Sequence, residues 1–99
     1  MFPGDLSNVA KFKVELSSKA KKFYAACSED FAKRLDICFE ELEKDPYYGP
    51  NIKRLKTRPQ ELLYRYRIGE FRVVYEVFKK EIVVLIVKIA SRGDVYKGI

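Results

Sequence analysis

Three arginines stand in a pattern that addresses an anion. Tyr64 to Ile68 alternates strictly between apolar or aromatic and basic residues, and Phe71 to Phe78 continues as a second strand. Between them Gly69-Glu70 has the glycine-first form of a two-residue type II′ hairpin turn. That turn fixes the register: Ile68 faces Phe71, Arg67 faces Arg72, Tyr66 faces Val73 and Arg65 faces Val74. One face then carries Tyr64, Tyr66, Ile68, Phe71, Val73, Tyr75 and Val77, and packs on the core. The other carries Arg65, Arg67, Arg72, Val74 and Glu76. Arg67 opposite Arg72 is a like-charge cross-strand pair, which folding alone disfavours. Two readings account for it. Either the pair waits for an anion, with phosphate matching the planar guanidinium fork, or Glu70 and Glu76 neutralise the arginines and nothing binds.

More cations surround this hairpin. The segment Pro46 to Pro59 holds Lys53, Arg54, Lys56 and Arg58, and Arg92 follows the last strand with Tyr96 four residues on. A tail of that length can fold back over the arginine face. The chain has no histidine, which removes the usual general base, the commonest metal ligand and any Ser-His or Cys-His nucleophile pair. Chemistry must rest on Lys, Arg, Tyr or carboxylates. Cys27 and Cys38 occur without a CxxC spacing and read as free, buried thiols, not as a zinc or redox site. No cofactor and no metal are expected.

The net charge of +6, from 20 basic and 14 acidic residues, suits an anionic partner such as nucleic acid or an acidic protein; solubility alone is the other reading. The 99 residues suit one domain, 1–99, with residues 1–10 as a flexible leader or an extension of the first strand. No signal peptide is visible, and the longest apolar run, Ile82 to Val87, is too short to span a membrane, so a cytoplasmic protein is expected.

The elements that must position these cations follow from periodicity. Lys11 to Leu16 alternates as a half-buried strand. Ser17 and Ser18 supply a helix cap, followed by Ala20, Phe23, Tyr24 and Cys27 on one helical face. Ser28 caps a second helix with Phe31, Leu35, Cys38, Phe39 and Leu42 inside, ended by Asp45-Pro46. Pro46 to Pro59 reads as a long loop, pinned to the core by Ile52 and Leu55. Ile82 to Ala90 is apolar on both faces and belongs in the middle of a sheet. The fold class is α+β, in the order β-α-α-β-β-β, with a helical hairpin packed on one face of an antiparallel sheet.

With these residues in place, the chain resembles the RelE/ParE toxin superfamily of prokaryotic toxin–antitoxin systems, on the RelE side. Lys13 to Leu16 with Ser17-Ser18-Lys19-Ala20 is similar to its opening strand and helix cap. Asp45-Pro46 with Gly49-Pro50-Asn51-Ile52-Lys53 and Leu55-Lys56 is similar to its helix-to-strand loop. Tyr64-Arg65-Tyr66-Arg67-Ile68-Gly69 with Phe71-Arg72-Val73-Val74-Tyr75-Glu76 is similar to its central hairpin. Ile89 to Arg92 with Asp94-Val95-Tyr96-Lys97 is similar to its last strand and tail.

The resemblance implies a ribosome-dependent endoribonuclease that cuts mRNA without a metal, by attack of a ribose 2′-hydroxyl on the adjacent phosphate. It implies an antitoxin protein as inhibitor. The family's site residues map to Arg65, Arg67, Arg72, Arg92 and Tyr96, with Lys53, Lys56, Lys88 and Lys97 as candidates for RNA binding or proton transfer. Some RelE members carry lysine at the first hairpin positions; here both are arginine, which stays protonated and cannot serve as a base. The rivals are a ParE-type toxin that binds DNA gyrase without cutting RNA, and an inactive binding module.

Overall fold

Each helix begins where a serine precedes it. The computed structural model describes residues 11–97, so the leader assigned to 1–10 lies outside the described residues. Strand β1 covers Lys13–Leu16, and helices α1 and α2 cover Ser18–Ala26 and Glu29–Lys44. Ser17 Oγ accepts from the Ala20 amide at 3.2 Å and Ser28 Oγ from the Phe31 amide at 3.1 Å, which satisfies a free donor at each helix start. Strands β2 (Ile52–Arg54), β3 (Leu63–Ile68), β4 (Phe71–Phe78) and β5 (Val83–Ser91) follow.

The five strands form one sheet in the order β1-β5-β4-β3-β2, with β5 inside it as its apolar sequence requires. The β3–β4 register is the one the turn dictates: Arg67 lies opposite Arg72 and Ile68 opposite Phe71. Gly69 has φ +56° while Glu70 does not take a positive φ, as a type II′ turn demands.

Two features differ from the sequence reading. First, β1 runs parallel to β5, so the sheet is mostly but not wholly antiparallel. Alternation reports which face a side chain takes; it carries nothing about the direction of the neighbouring strand. Second, Ile52–Arg54, assigned to a loop, forms an edge strand paired with Tyr64 to Tyr66. Three residues between prolines are too few to show a period.

The aromatic face of the hairpin and the inner stripes of both helices form the main core: Ala20, Leu35, Cys38, Leu42, Tyr66, Val73, Tyr75, Val84 and Ile86 are all buried there. The hydroxyl of Tyr75, fully buried, donates to the Pro46 carbonyl at 2.7 Å, and that of Tyr66 donates to Glu41 Oε1 at 2.6 Å. Burial foremost, and then the Glu41 bond, push the Tyr66 phenol up to about 12; burial raises Tyr75 as well.

A pH dependence follows. An unfolded phenol ionises near ~10, so between there and the folded value the unfolded chain binds fewer protons. Stability is intact below about pH 10 and is lost as pH rises toward 12. Base denaturation followed by tyrosinate absorbance is expected to show a shallower loss of stability with pH in Tyr66→Phe. An unchanged slope would show that Tyr66 is not the linked group.

A second, smaller cluster lies on the opposite face of the sheet, where the arginines are. Leu63, Val74 and Val95 are buried together, with Leu55, Val87 and Ala90 against them. An irregularity in β5 sets which of its side chains join the cluster. Val74 pairs with Lys88 but Tyr75 pairs with Ile86, so Val87 is an extra residue. This bulge lets Val87 and Lys88 both serve the arginine face. The Val87 carbonyl, set free from the β4 ladder, accepts from Ser17 Oγ at 2.7 Å.

Candidate nucleic-acid interface

The tail closes the arginine face into a groove. After β5 the chain turns on itself, with the Asp94 and Val95 amides both bonded to the Ser91 carbonyl at 3.0 and 2.9 Å. Three contacts fix this turn. Val95 is buried against Leu63 and Val74. The Arg92 amide donates to the Glu70 carbonyl at 2.7 Å, tying the tail to the hairpin tip. Lys88 Nζ donates to the carbonyls of Asp94 and Lys97 at 3.1 and 2.7 Å. Asp94 joins in: its carboxyl is held below the usual carboxylate range by the hydrogen bond from Lys97 first, then by that from Ser91.

The result is a groove of about 460 Å³ lined by Lys53, Arg54, Leu55, Lys56, Arg65, Arg72, Arg92 and Tyr96. Six of these eight side chains are cationic. Arg65 Nη1 donates to the Asn51 carbonyl at 2.6 Å, and Arg72 Nη1 donates to the carbonyls of Gly69 and Phe71 at 2.9 and 3.0 Å. Both guanidinia are therefore held by neutral partners and keep their charge for something else. The alternative in which Glu70 and Glu76 neutralise the arginines is not realised: among the described residues the ion pairs are Lys13–Glu15, Arg58–Glu61 and Lys97–Asp94. Tyr96 keeps about half its surface exposed (47%), which leaves its ring free to stack on a base.

Of the residues expected from sequence, Arg65, Arg72, Arg92, Tyr96, Lys53 and Lys56 come together here. Arg67 shares their sheet face but lines a neighbouring groove with Arg34 and Asn51. Lys88 and Lys97 do not line the groove; they hold the tail. Arg54 was not among the expected site residues. It stands on β2 with its guanidinium 5.6 Å from the Tyr64 ring and donates to the Glu61 carbonyl at 3.0 Å. Its position between Lys53 and Lys56 was the available signal. Among the described residues, no three of His, Cys, Asp or Glu gather where one metal ion could be held. No described helix is long and apolar enough to cross a membrane.

Residues 14–96 match the family described as the ParE toxin of type II toxin–antitoxin systems, parDE. RelE1 of Methanocaldococcus jannaschii, carried as a candidate toxin, is 34% identical over 90 residues, which is 89% of this chain and 98% of that protein. The chain belongs to the RelE/ParE toxin superfamily. It is a toxin of a toxin–antitoxin system, of the RelE type.

Solved RelE structures share the fold. The archaeal RelE–RelB complex from Pyrococcus horikoshii matches with a TM-score of 0.75 and 25% identity, over 86% of this chain and 99% of that one. The intact RelBE toxin–antitoxin complex of Escherichia coli matches at 0.67 and 18%, over 81% and 95%. In this RelE-type chain the hairpin supplies Arg65 and Arg72, while the docked tail supplies Arg92 and Tyr96. Neither half alone encloses the groove.

Proposed function

We propose that the chain is a ribosome-dependent endoribonuclease that cuts messenger RNA, with the groove under the tail as its reaction site. The observation that carries this reading is the gathering of Arg65, Arg72 and Arg92 around one space beside Tyr96, with no carboxylate paired to any of them among the described residues.

Three cations at one point suit a phosphate that gains charge during reaction. In the reaction the ribose 2′-oxygen forms a bond to the adjacent phosphorus as the bond to the 5′-oxygen breaks. The 2′-hydroxyl proton leaves and the departing 5′-oxygen takes one up. The products are a 2′,3′-cyclic phosphate and a 5′-hydroxyl. The requirement for a 2′-hydroxyl selects RNA over DNA. Arg65, Arg72 and Arg92 stabilise the charge on the phosphorane, a term that is usually the largest in such catalysis. Tyr96 stacks on the base next to the cut and is the titratable group among those closing the tail side of the groove that can exchange a proton. Lys53 and Lys56 bind the backbone at the groove rim.

RelE proteins of the matched structures are held by RelB. A cognate antitoxin of acidic character covering the same groove suits its charge here, and a cytoplasmic location suits a message-cutting role.

The test is a translating extract with a defined message. Wild type is expected to leave new 5′ ends on ribosome-bound message, and a 2′-O-methyl group at the cut site is expected to abolish them. A message that stays intact in the presence of folded protein would overturn the proposal. One observation favours a second reading: the matching family is described as ParE toxin. A gyrase-directed toxin would give DNA-damage signalling on expression while messages remain whole.

A further inference from the structure

We propose that Arg34 and Arg67 form a second anion site, holding the RNA phosphate next to the one that reacts. The proposal rests on the ribonuclease reading above.

It starts from the opposed pair Arg67 and Arg72. Two guanidinia facing each other across a hairpin repel unless they part. They line different grooves. Arg72 turns back to the carbonyls of Gly69 and Phe71 and lines the space with Arg65, Arg92 and Tyr96. Arg67 lines a separate groove of about 540 Å³ whose other walls include Arg34 and Ile37 of α2, Asn51, and Tyr66 and Ile68 of the helix-packed face, so it lies at the β3 edge toward α2. The pair that folding left unexplained thus serves two sites, each with arginines from more than one element.

Arg34 reaches this groove from helix α2. Its guanidinium carbon lies 5.7 Å from the Phe31 ring centroid, and a Cβ added to Gly69 would meet its Nη2 at 3.4 Å. The side chain is exposed and lies beside the Phe31 ring and the hairpin turn. From that place its planar guanidinium can offer a forked contact to a phosphate in the groove. Neither Arg34 nor Arg67 is in an ion pair among the described residues. Glu70 lines the same groove and opposes an anion there; two arginines against one carboxylate leave a net charge of +1.

The spacing selects a polymer. Arg65 and Arg67 are two residues apart on one face of β3, about 6.7 Å at strand rise. Arg65 belongs to the reaction groove and Arg67 to its neighbour. A chain of linked phosphates that passes from the arginine face over the β3 edge engages both, whereas an isolated phosphate engages one. Ile37, more than half exposed (55%), offers the groove an apolar wall for a ribose or base.

The experiment uses the full chain and uncleavable 2′-O-methyl RNA. Affinities are measured for a labelled hexamer directly and for a dinucleotide, with its single phosphodiester, by competition. Arg34→Ala is expected to weaken the hexamer by roughly tenfold, as loss of a charged hydrogen bond does. It should lower the slope of log affinity against log salt by about 0.7, and leave the dinucleotide unchanged. Arg34→Lys should recover part of the loss, and both variants should melt as wild type does. Equal loss for dinucleotide and hexamer, or none for the hexamer, overturns the site. So does a loss seen only with an acidic peptide, which would make the groove a protein contact. Cleavage in the translating extract is scored separately, so the hexamer result supports the site even where the nuclease reading itself fails.

Discussion

Arg72→Ala is expected to slow message cleavage by roughly two to three orders of magnitude, the usual cost of removing one preorganised charge stabiliser, with little change in stability. Arg72 is the best-held cation of the groove. It is half-buried, it stands at the start of β4 beside the hairpin turn, and its Nη1 is fixed by the carbonyls of Gly69 and Phe71. Those acceptors are neutral, so they orient the guanidinium without cancelling its charge. A preorganised charge acts on the transition state with no reorganisation at the moment of reaction. The stability cost stays small because the lost bonds are to an exposed and a part-buried carbonyl near the hairpin tip, within reach of water. Relief of the opposed Arg67 charge offsets part of it. Arg72→Lys keeps charge but not the fork, and should fall between wild type and alanine. Arg58→Ala, which removes an exposed pair with Glu61, is the control and should cleave normally. Single-turnover primer extension gives the rates and thermal melting gives the stability. A rate for Arg72→Ala within a factor of about two of wild type would remove Arg72 from the charge-stabilising set.

Val95→Asp is expected to undock the tail and to reduce cleavage as far as the combined loss of Arg92 and Tyr96 does. Val95 is fully buried in an apolar cluster with Leu63 and Val74, and the nearby Lys88 ammonium is already engaged by the Asp94 and Lys97 carbonyls. Keeping the charge buried costs far more than releasing the tail. The chain therefore gives up the burial of one valine, worth about 1.5–3 kcal/mol, together with the Lys88 and Arg92 contacts. The main core sits across the sheet and should survive, so circular dichroism should stay native while trypsin cuts after Arg92 much faster. Lys88→Met, which removes the ammonium that holds two tail carbonyls, should act in the same direction with a smaller effect. If Lys88 instead contacted RNA, its loss would still matter in a Tyr96→Phe, Arg92→Ala background; a tail-holding role predicts that it adds nothing there. Cleavage at wild-type rate by folded Val95→Asp would show that the tail plays no part in the reaction.

Much of the site was legible because its signals are local. A glycine-first turn fixes a register, the register fixes parity, and parity puts Arg65, Arg67 and Arg72 on one face. Serine caps and a 3.6-residue stripe likewise placed both helices. The tail's return over that face was also legible, from the distance between Arg92 and Tyr96. What could not be read was any pairing whose partners lie far apart in the chain and whose motif is shorter than a period. The three-residue β2 brought Lys53 and Arg54 to the groove wall. The bulge at Val87 put Lys88 on the arginine face, where its ammonium holds the tail carbonyls.

The sequence by itself determined that this protein carries an arginine face without histidine, on a hairpin backed by two capped helices. It also carried the family likeness, because residue order and spacing along the chain are enough for both. Only the tertiary structure decided how the arginines divide. Arg67 and Arg72 are symmetric in register and sequence offers no way to separate them. Arg34 arrives from a helix more than thirty residues earlier to share one groove, and the docked tail closes the other. The division follows from what each strand position adjoins: Arg72 borders the docked tail, and Arg67 borders Asn51 and helix α2.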